Sequence, residues 1–168
     1  MGRILEQAKQ FFERENWQYS EIENENALQT AFTSDQGTWL CFVQAIEDEV
    51  NQRFLFYSVC PLKAQEHLQS VAEFITRANY GLPIGNFELD FADGEIRFKT
   101  SMDVMDNSFG VDNIESLVYT NALIMDRYLP GLLSVLSNDT SPEKAIEVIE
   151  MIPEIGSEKL FESSPCNF

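Results

Sequence analysis

The fold is decided by residues 78–90, which read Ala78-Asn79-Tyr80-Gly81-Leu82-Pro83-Ile84-Gly85-Asn86-Phe87-Glu88-Leu89-Asp90. Gly81 and Pro83 form a helix stop signal, because glycine can take a left-handed turn and proline cannot continue a helix. Gly85 supplies a second bend. After it, apolar residues alternate with acidic ones as in a half-buried strand: Phe87, Leu89 and Phe91 against Glu88 and Asp90. The stretch therefore marks the change from helical to strand periodicity.

Upstream of this stretch, the pattern predicts one helix and then three strands. The apolar stripe of the first helix is Ile4, Leu5, Ala8, Phe11 and Phe12, and its charges off the stripe are Arg3, Glu6, Lys9 and Glu13. The strand candidates are Leu28–Ser34, Trp39–Ile46 and Arg53–Cys60. The last two are apolar on both faces, which is typical of strands covered on both sides. We expect helices over one face, and a C-terminal segment, a partner protein or a twin subunit over the other.

Between and beyond these strands, the pattern predicts further helices and a hairpin. Pro61 is expected at the start of the second helix, whose stripe is Leu68, Val71, Ala72, Ile75 and Ala78. Asp93-Gly94 predicts the hairpin turn before the strand 96–100. The third helix is predicted to open with a capping box at 112–115 and to kink or break at Pro130-Gly131. Its stripe is Ile114, Leu117, Val118, Ala122, Met125, Leu129, Leu132 and Leu136, with Asn121 inside it.

The last predicted element is a short fourth helix. Ser141 is expected to cap it, with Pro142 at its first position. Its apolar residues are Ile146, Val148, Ile149 and Ile152, and Pro153 should end it. Residues 154–168 have no periodicity, and we expect them to be mobile or draped over a surface.

The charge of the chain restricts its partners. The 168 residues carry 28 acidic side chains against 11 Lys and Arg, for a net charge of −17. Such a surface repels nucleic-acid backbones and anionic membranes. It favours either basic partners or simply solubility. No apolar run approaches the roughly 20 residues of a membrane span, and the N-terminus lacks the apolar core of a signal peptide. The three cysteines, Cys41, Cys60 and Cys166, have no metal or redox spacing, which predicts reduced thiols in a cytoplasm.

No residue pattern in the chain predicts a catalytic, cofactor or metal site. His67 is the only histidine and sits on the predicted second helix beside its apolar stripe. A lone histidine supplies no catalytic constellation, so a structural role is favoured. The glycines at 81 and 85 lie where a helix ends rather than where one begins, which is the wrong polarity for a phosphate loop. Glu88 and Asp90 share a strand face, but pairing with Arg97 and Lys99 explains them better than glycosidase chemistry. Asn121 is expected to bond a backbone carbonyl or lie at the stripe's edge, with a role in helix pairing as the alternative.

Six residues of the opening stretch carry a family resemblance: Asn79, Tyr80, Pro83, Gly85, Phe87 and Asp90. With residues 94–98 they resemble the central signature of the YbjN-domain family of small bacterial proteins, over roughly residues 4–136. The resemblance implies a fold like that of type III secretion chaperones, which are acidic, often dimeric and bind other proteins. The family is described as sensory-transduction regulators, and it offers no catalytic residues to transfer.

These observations predict an α+β fold with a mostly antiparallel sheet of about five strands and helices on one face. Residues 1–137 are predicted to form the YbjN-like domain, and residues 138–168 an appended short helix and acidic tail. The predicted function is a non-enzymatic, cytoplasmic protein-binding module, chaperone-like or regulatory, with an unidentified protein partner and a possible homodimer. It is expected to bind no nucleic acid, membrane or cofactor. The alternative is a small-molecule or ion sensor with a pocket between the sheet and the long helix.

Overall fold

Helices cover one face of a six-stranded antiparallel sheet in this computed structural model, which describes residues 2–104 and 109–151. The helices are α1 (Arg3–Arg14), α2 (Leu68–Gly81), α3 (Val111–Leu136) and α4 (Pro142–Met151), and a 3-10 turn at Gln65–His67 precedes α2. The strands are β1 (Ser20–Glu21), β2 (Ala27–Ser34), β3 (Gly37–Glu47), β4 (Gln52–Val59), β5 (Asn86–Leu89) and β6 (Ile96–Asp103). The predicted fold class is confirmed, and β1 adds one strand to the five expected.

The sheet has the strand order β1-β2-β3-β4-β6-β5, and all neighbours are antiparallel. Helices α1, α2 and α3 contact the same face of it, and α4 packs on α2 and α3. Alternate side chains point into this core, among them Phe54, Phe56 and Phe98, which are fully buried. Every predicted stripe residue of α3 is buried. No helix of the described residues is long and apolar enough to cross a membrane.

The junction between α2 and β5 is held by one side chain. The Asn79 Nδ2 atom donates to the Phe87 carbonyl oxygen at 3.1 Å, and the Phe87 amide donates to Asn79 Oδ1 at 2.7 Å. A residue in an antiparallel strand directs both backbone groups to the same side. Asn79 therefore takes the place of a neighbouring strand at the outer edge of β5.

The two glycines of the deciding stretch behave differently. Gly85 has φ +78°, as its predicted bend requires, and a Cβ there would lie 2.6 Å from the Phe98 ring. The left-handed turn predicted at Gly81 is wrong, since Gly81 is the last helical residue and positive φ values occur at other glycines. The helix ends because Leu82 is extended, at φ −79° and ψ 124°. A residue before a proline is pushed out of the helical region, and Pro83 follows Leu82.

The hairpin is shorter than predicted. β5 ends at Leu89, and Phe91 lies in the turn with 56% of its surface exposed, so its predicted place in the strand is wrong. The turn begins early because Asp90 closes it: the Gly94 amide donates to the Asp90 carbonyl at 2.8 Å, and the Ala92 amide donates to Asp90 Oδ1 at 2.7 Å.

The long helix is not broken, so that alternative of the prediction at Pro130 is wrong, while a kink there stays a prediction. α3 runs unbroken for 26 residues through Pro130, which is exposed. The carbonyl that loses its bond to a proline can be hydrated on an exposed face, while Leu129 and Leu132 hold both halves in the core. The helix starts at Val111 rather than at the predicted capping box, and Asn113 Oδ1 accepts the Gly110 amide at 3.0 Å.

Several boundary predictions of the other helices are corrected. The second helix does not start at Pro61, because the amide of Ala64 is bonded to the Gly94 carbonyl at 2.7 Å and keeps this segment against the hairpin turn. Lys9 was predicted to lie off the apolar stripe of α1, but it is buried, with its ammonium 2.5 Å from Glu21 Oε1. In α4, Ser141 caps the helix as predicted, while Val148 is 49% exposed.

Some predictions fall outside the described residues: those on Ile152, Pro153, residues 154–168 and Cys166. The boundary at residue 137 stays a prediction. The helix that follows it, α4, buries Ala145, Ile146 and Ile149.

Two polar side chains connect separate parts of the core. Asn121 is fully buried, and its Nδ2 donates to the backbone carbonyls of Phe56 at 3.0 Å and Phe98 at 3.1 Å, which confirms the predicted backbone bond. Its Oδ1 has no hydrogen-bond partner in the described part of the chain. Glu47 Oε1 accepts the Ile4 amide at 2.9 Å, and Glu47 Oε2 accepts Asn26 Nδ2 at 3.0 Å. Glu47 thereby caps α1 from the end of β3.

Candidate functional site

The face of the sheet opposite the helices is the candidate site, and we call it the open face. Strand register places on it the side chains that alternate with the core residues. In residues 2–104 and 109–151, the buried helix side chains pack in one cluster with the strand residues of the opposite face, and no open-face side chain belongs to that cluster. Its members are Ala27, Gln29, Ala31, Thr33, Thr38, Leu40, Phe42, Gln44, Ile46, Arg53, Leu55, Tyr57, Val59, Arg97, Lys99, Ser101, Asp103, Asn86 and Glu88.

The centre of the open face is apolar. Leu40 is 43% exposed, and Phe42 and Val59 are partly exposed. Phe42 is the direct cross-strand partner of Tyr57. Leu55 and Tyr57 are each only 9% exposed. The two strands predicted to be apolar on both faces are therefore covered by helices on one face alone within the described residues.

The β5–β6 side of the open face is charged. The Arg97 guanidinium lies 4.4 Å from the centre of the Tyr57 ring, a cation–π contact, and Arg97 Nε is 2.8 Å from Glu88 Oε2. Lys99 also pairs with Glu88. Burial raises the pKa of Glu88, but hydrogen bonds from Lys99 and Arg97 outweigh it and hold that pKa below its ordinary value. The group is therefore ionised at neutral pH.

A third ion pair lies at the N-terminal end of β4. Arg53 Nε is 2.6 Å from Asp103 Oδ1, and both side chains are more than one-third exposed. Such a pair contributes little to stability, roughly 0–1 kcal/mol. The predicted cross-strand pairing of Glu88 with Arg97 and Lys99 is confirmed, and it accounts for Glu88 without catalytic chemistry.

The six motif residues do not gather into a pocket. Asn79, Gly85 and Phe87 form the α2–β5 junction described above, and Asp90 closes the hairpin turn. Tyr80 is 96% exposed, and Pro83, three residues later in the chain, is exposed as well. The motif thus shapes a corner of the fold, next to the edge strand rather than on the open face.

The other candidate residues have structural environments. Cys41 and Cys60 are buried as predicted, and burial raises their pKa to about 12 and about 11, so neither is an activated thiolate. His67 ends the 3-10 turn before α2, with its amide bonded to the Ala64 carbonyl. Within residues 2–104 and 109–151, no group of three or more His, Cys, Asp or Glu side chains is placed to hold a metal.

The space between the sheet and α3 is filled by side chains. Asn121, Met125 and Leu129 are at most 1% exposed and occupy the region where the sensor alternative places its pocket. A surface hollow lies instead along the outer side of α2, lined by Gln69, Ser70, Ala72, Glu73, Thr76 and Arg77. These residues belong to one helix and offer no convergent set of ligand groups.

Sequence patterns located part of this site and missed part of it. The apolar character of both sides of β3 and β4 pointed to the open face. The contact of Arg97 with Tyr57 was missed, because it depends on β4 pairing with β6 in the register Tyr57↔Lys99 and Val59↔Arg97, whose partners are 42 and 38 residues apart in the chain. The available signal was that Tyr57 and Val59 in β4, and Arg97 and Lys99 in β6, all alternate with core residues and therefore point to the same side of the sheet.

Comparisons with known proteins give one family match and similar solved structures. The family pattern of YbjN, described as "Putative bacterial sensory transduction regulator", matches residues 5–134. The solved structure described as "Crystal structure of YbjN, a putative transcription regulator from E. coli" aligns with a TM-score of 0.55 at 14% identity, over 80% of this chain and 90% of that chain. The "Structure of the HopA1-SchA Chaperone-Effector Complex" aligns with a TM-score of 0.44 at 13% identity, over 73% and 88%. No curated protein matches the chain significantly in sequence.

Proposed function

The chain belongs to the YbjN family, and we propose that it is a non-enzymatic protein-binding module, chaperone-like or regulatory, that binds its partner on the open face. The observation that carries the proposal is the apolar centre of a sheet face whose side chains lie outside the core cluster formed by the described helices. Its exposed apolar surface is formed by Leu40, with Phe42 and Val59 partly exposed next to it on the same face. A contiguous exposed apolar patch is typical of an interaction site. The absence of an acid–base or nucleophile constellation among the described residues agrees with a binding role.

A cytoplasmic location is part of the proposal. Cys41 and Cys60 are both free thiols in the described chain, which supports a reducing compartment. The family description as a sensory transduction regulator supports the regulatory form of the role.

The proposal is tested by site-specific photo-crosslinking in the native host. A photoreactive benzoylphenylalanine is placed at Leu40, which is on the open face and already 43% exposed, and in a second strain at Tyr80, which is 96% exposed on α2. We expect a discrete protein adduct from position 40 and none from position 80. Adducts of equal yield at both positions, or at position 80 alone, would contradict binding on the open face.

A matched substitution separates recognition from mere proximity. With a crosslinker at Phe42, the change Leu40→Gln should reduce the adduct, because it removes an apolar neighbour from the proposed surface. Arg77→Gln on the outer side of α2 is the control and should leave the adduct unchanged, since Arg77 bonds Glu73 of the same helix. Circular dichroism and thermal unfolding of each variant verify that the fold is retained.

A further inference from the structure

Three carboxylates on or beside the open face balance its three cations. Its cations are Arg53, Arg97 and Lys99, and each pairs with a carboxylate on or beside the face: Asp103, Glu88 and Glu95. The chain as a whole has a net charge of −17. The open face is therefore a neutral, partly apolar region on a strongly acidic molecule.

Much of that excess lies in the loops that join the strands, which form the rim of the open face. Seven exposed carboxylates lie in them: Glu23, Glu25, Asp35, Asp48, Glu49, Asp90 and Asp93. The single cation of the strand-joining loops in residues 22–95 is Lys63, and it is paired with Asp93. Hydrogen bonds from the amides of Asn51 and Val50 hold the pKa of Asp48 below its ordinary value. The rim is thus acidic at neutral pH at both ends of the strands.

We propose that the occupant of the open face is a basic segment of a partner protein, with apolar residues set between lysines and arginines. This inference rests on the proposed function and names the chemistry of the partner. The apolar residues contact Leu40, Phe42 and Val59, and the flanking cations lie against the acidic rim. A second copy of the chain fits less well, because face-to-face pairing would bring two acidic rims together.

The rim contributes to binding in a way that salt can reveal. One carboxylate and one cation about 10 Å apart in water change affinity by about twofold. Removing three rim charges should therefore weaken binding roughly eightfold at low salt. At about 1 M salt the screening length falls to about 3 Å, and this difference should vanish. The apolar contacts remain, because high salt does not weaken burial of apolar surface.

The test uses three fluorescent peptides of equal length, measured by anisotropy at low and high salt. The first alternates leucine and lysine, the second replaces every lysine with glutamate, and the third replaces every leucine with serine. Each is titrated with the native chain, with Leu40→Gln on the open face, and with the rim variant Glu23→Gln/Glu25→Gln/Glu49→Gln. The control variant is Glu143→Gln/Glu150→Gln, which removes exposed charges from α4, away from the sheet.

We expect the leucine–lysine peptide to bind at least tenfold more tightly than either of the others. Leu40→Gln should remove most of that advantage at both salt concentrations. The rim variant should weaken binding roughly eightfold at low salt only, and the α4 variant much less. Equal binding of the lysine and glutamate peptides would overturn the inference about charge, and binding that ignores Leu40→Gln would overturn the apolar contact.

Failure of this inference can be told apart from failure of the proposed function. If the partner segment crosslinked at position 40 proves acidic or uncharged, the face binds protein but the inferred chemistry is wrong. If the native chain sediments as a dimer that Leu40→Gln dissociates, the occupant is a second copy, which also refutes the inference. If no peptide binds the native chain more tightly than it binds the Leu40→Gln variant, a basic apolar segment is not what the face takes.

Discussion

Replacing Asn79 by alanine should destabilise the protein measurably, because a single side chain satisfies both backbone groups of Phe87. The two hydrogen bonds, at 3.1 and 2.7 Å, contribute about 1 kcal/mol each in net terms. Alanine is a better helix former than asparagine, which returns about 0.6 kcal/mol within α2. The expected loss is thus about 1.5 kcal/mol, or roughly 3–6 °C in Tm for a chain of this size.

The assay is urea unfolding followed by circular dichroism, combined with hydrogen exchange of the Phe87 amide. The midpoint should fall at an unchanged slope, and the Phe87 amide should exchange faster than in the native chain. Asn86→Ala is the matched control, because Asn86 Nδ2 reaches the same Phe87 carbonyl only at 3.4 Å. If Asn79→Ala costs no more than Asn86→Ala, or leaves exchange at Phe87 unaltered, Asn79 does not substitute for a strand.

Three further substitutions test the core and its charges. Asn121→Asp should destabilise by about 3 kcal/mol or more, because a carboxylate would face two backbone carbonyl oxygens without a proton to donate; urea unfolding checks it, and a loss below about 1 kcal/mol would refute it. Gly85→Ala should cost about 3 kcal/mol, from the positive φ and the contact with the Phe98 ring, and a midpoint close to that of the native chain would contradict both causes. Burial raises the pKa of Asp126 and outweighs the hydrogen bond from Ser34, which lowers it. Ionisation of Asp126 therefore opposes folding. The stability that Asp126 provides is complete below its ordinary pKa of 3.8 and is lost as pH rises through the higher native value. The stability of Asp126→Asn relative to the native chain should therefore increase over that range, and a difference independent of pH would refute the reasoning.

Elements with a strong local pattern were predictable from the sequence. The stripe of α3 and the alternation of Phe87 and Leu89 both depend on residues close in the chain, and both appear as expected. Asn121 was recognisable as a polar residue within an apolar stripe. Its two carbonyl partners were not, because they lie 65 and 23 residues away in other strands.

The failed predictions share a physical origin in competing contacts. Gly81 has the residue type of a left-handed cap, but Pro83 forces the chain into an extended form one residue later. Pro130 has the residue type of a helix breaker, but burial of both flanking turns keeps α3 continuous. Lys9 has the polarity of a surface residue, but Glu21 of β1 pairs with it at the edge of the core.

The open face could be predicted only in part for the same reason. The side chains along one strand can be assigned to its two faces from the local sequence alone. The strands that are apolar on both faces therefore indicated an apolar surface on the side of the sheet away from the helices. The cancellation of charge across the face arises from pairs such as Arg53 with Asp103, which are 50 residues apart. Such pairs follow from strand order and register, which the local pattern does not specify.

Glu47 has a consequence for the order in which the protein can assemble during synthesis. The first turn of α1 is capped by a residue 43 positions later in the chain. A nascent chain that has released only α1 and β2 from the ribosome lacks this carboxylate, and the helix N-terminus then relies on water. Gly2 lies so close that a Cβ would sit 1.6 Å from Glu47 Oε2. The N-terminal helix therefore gains its cap only after β3 has been translated, and a side chain at position 2 would make the late carboxylate approach from a different angle.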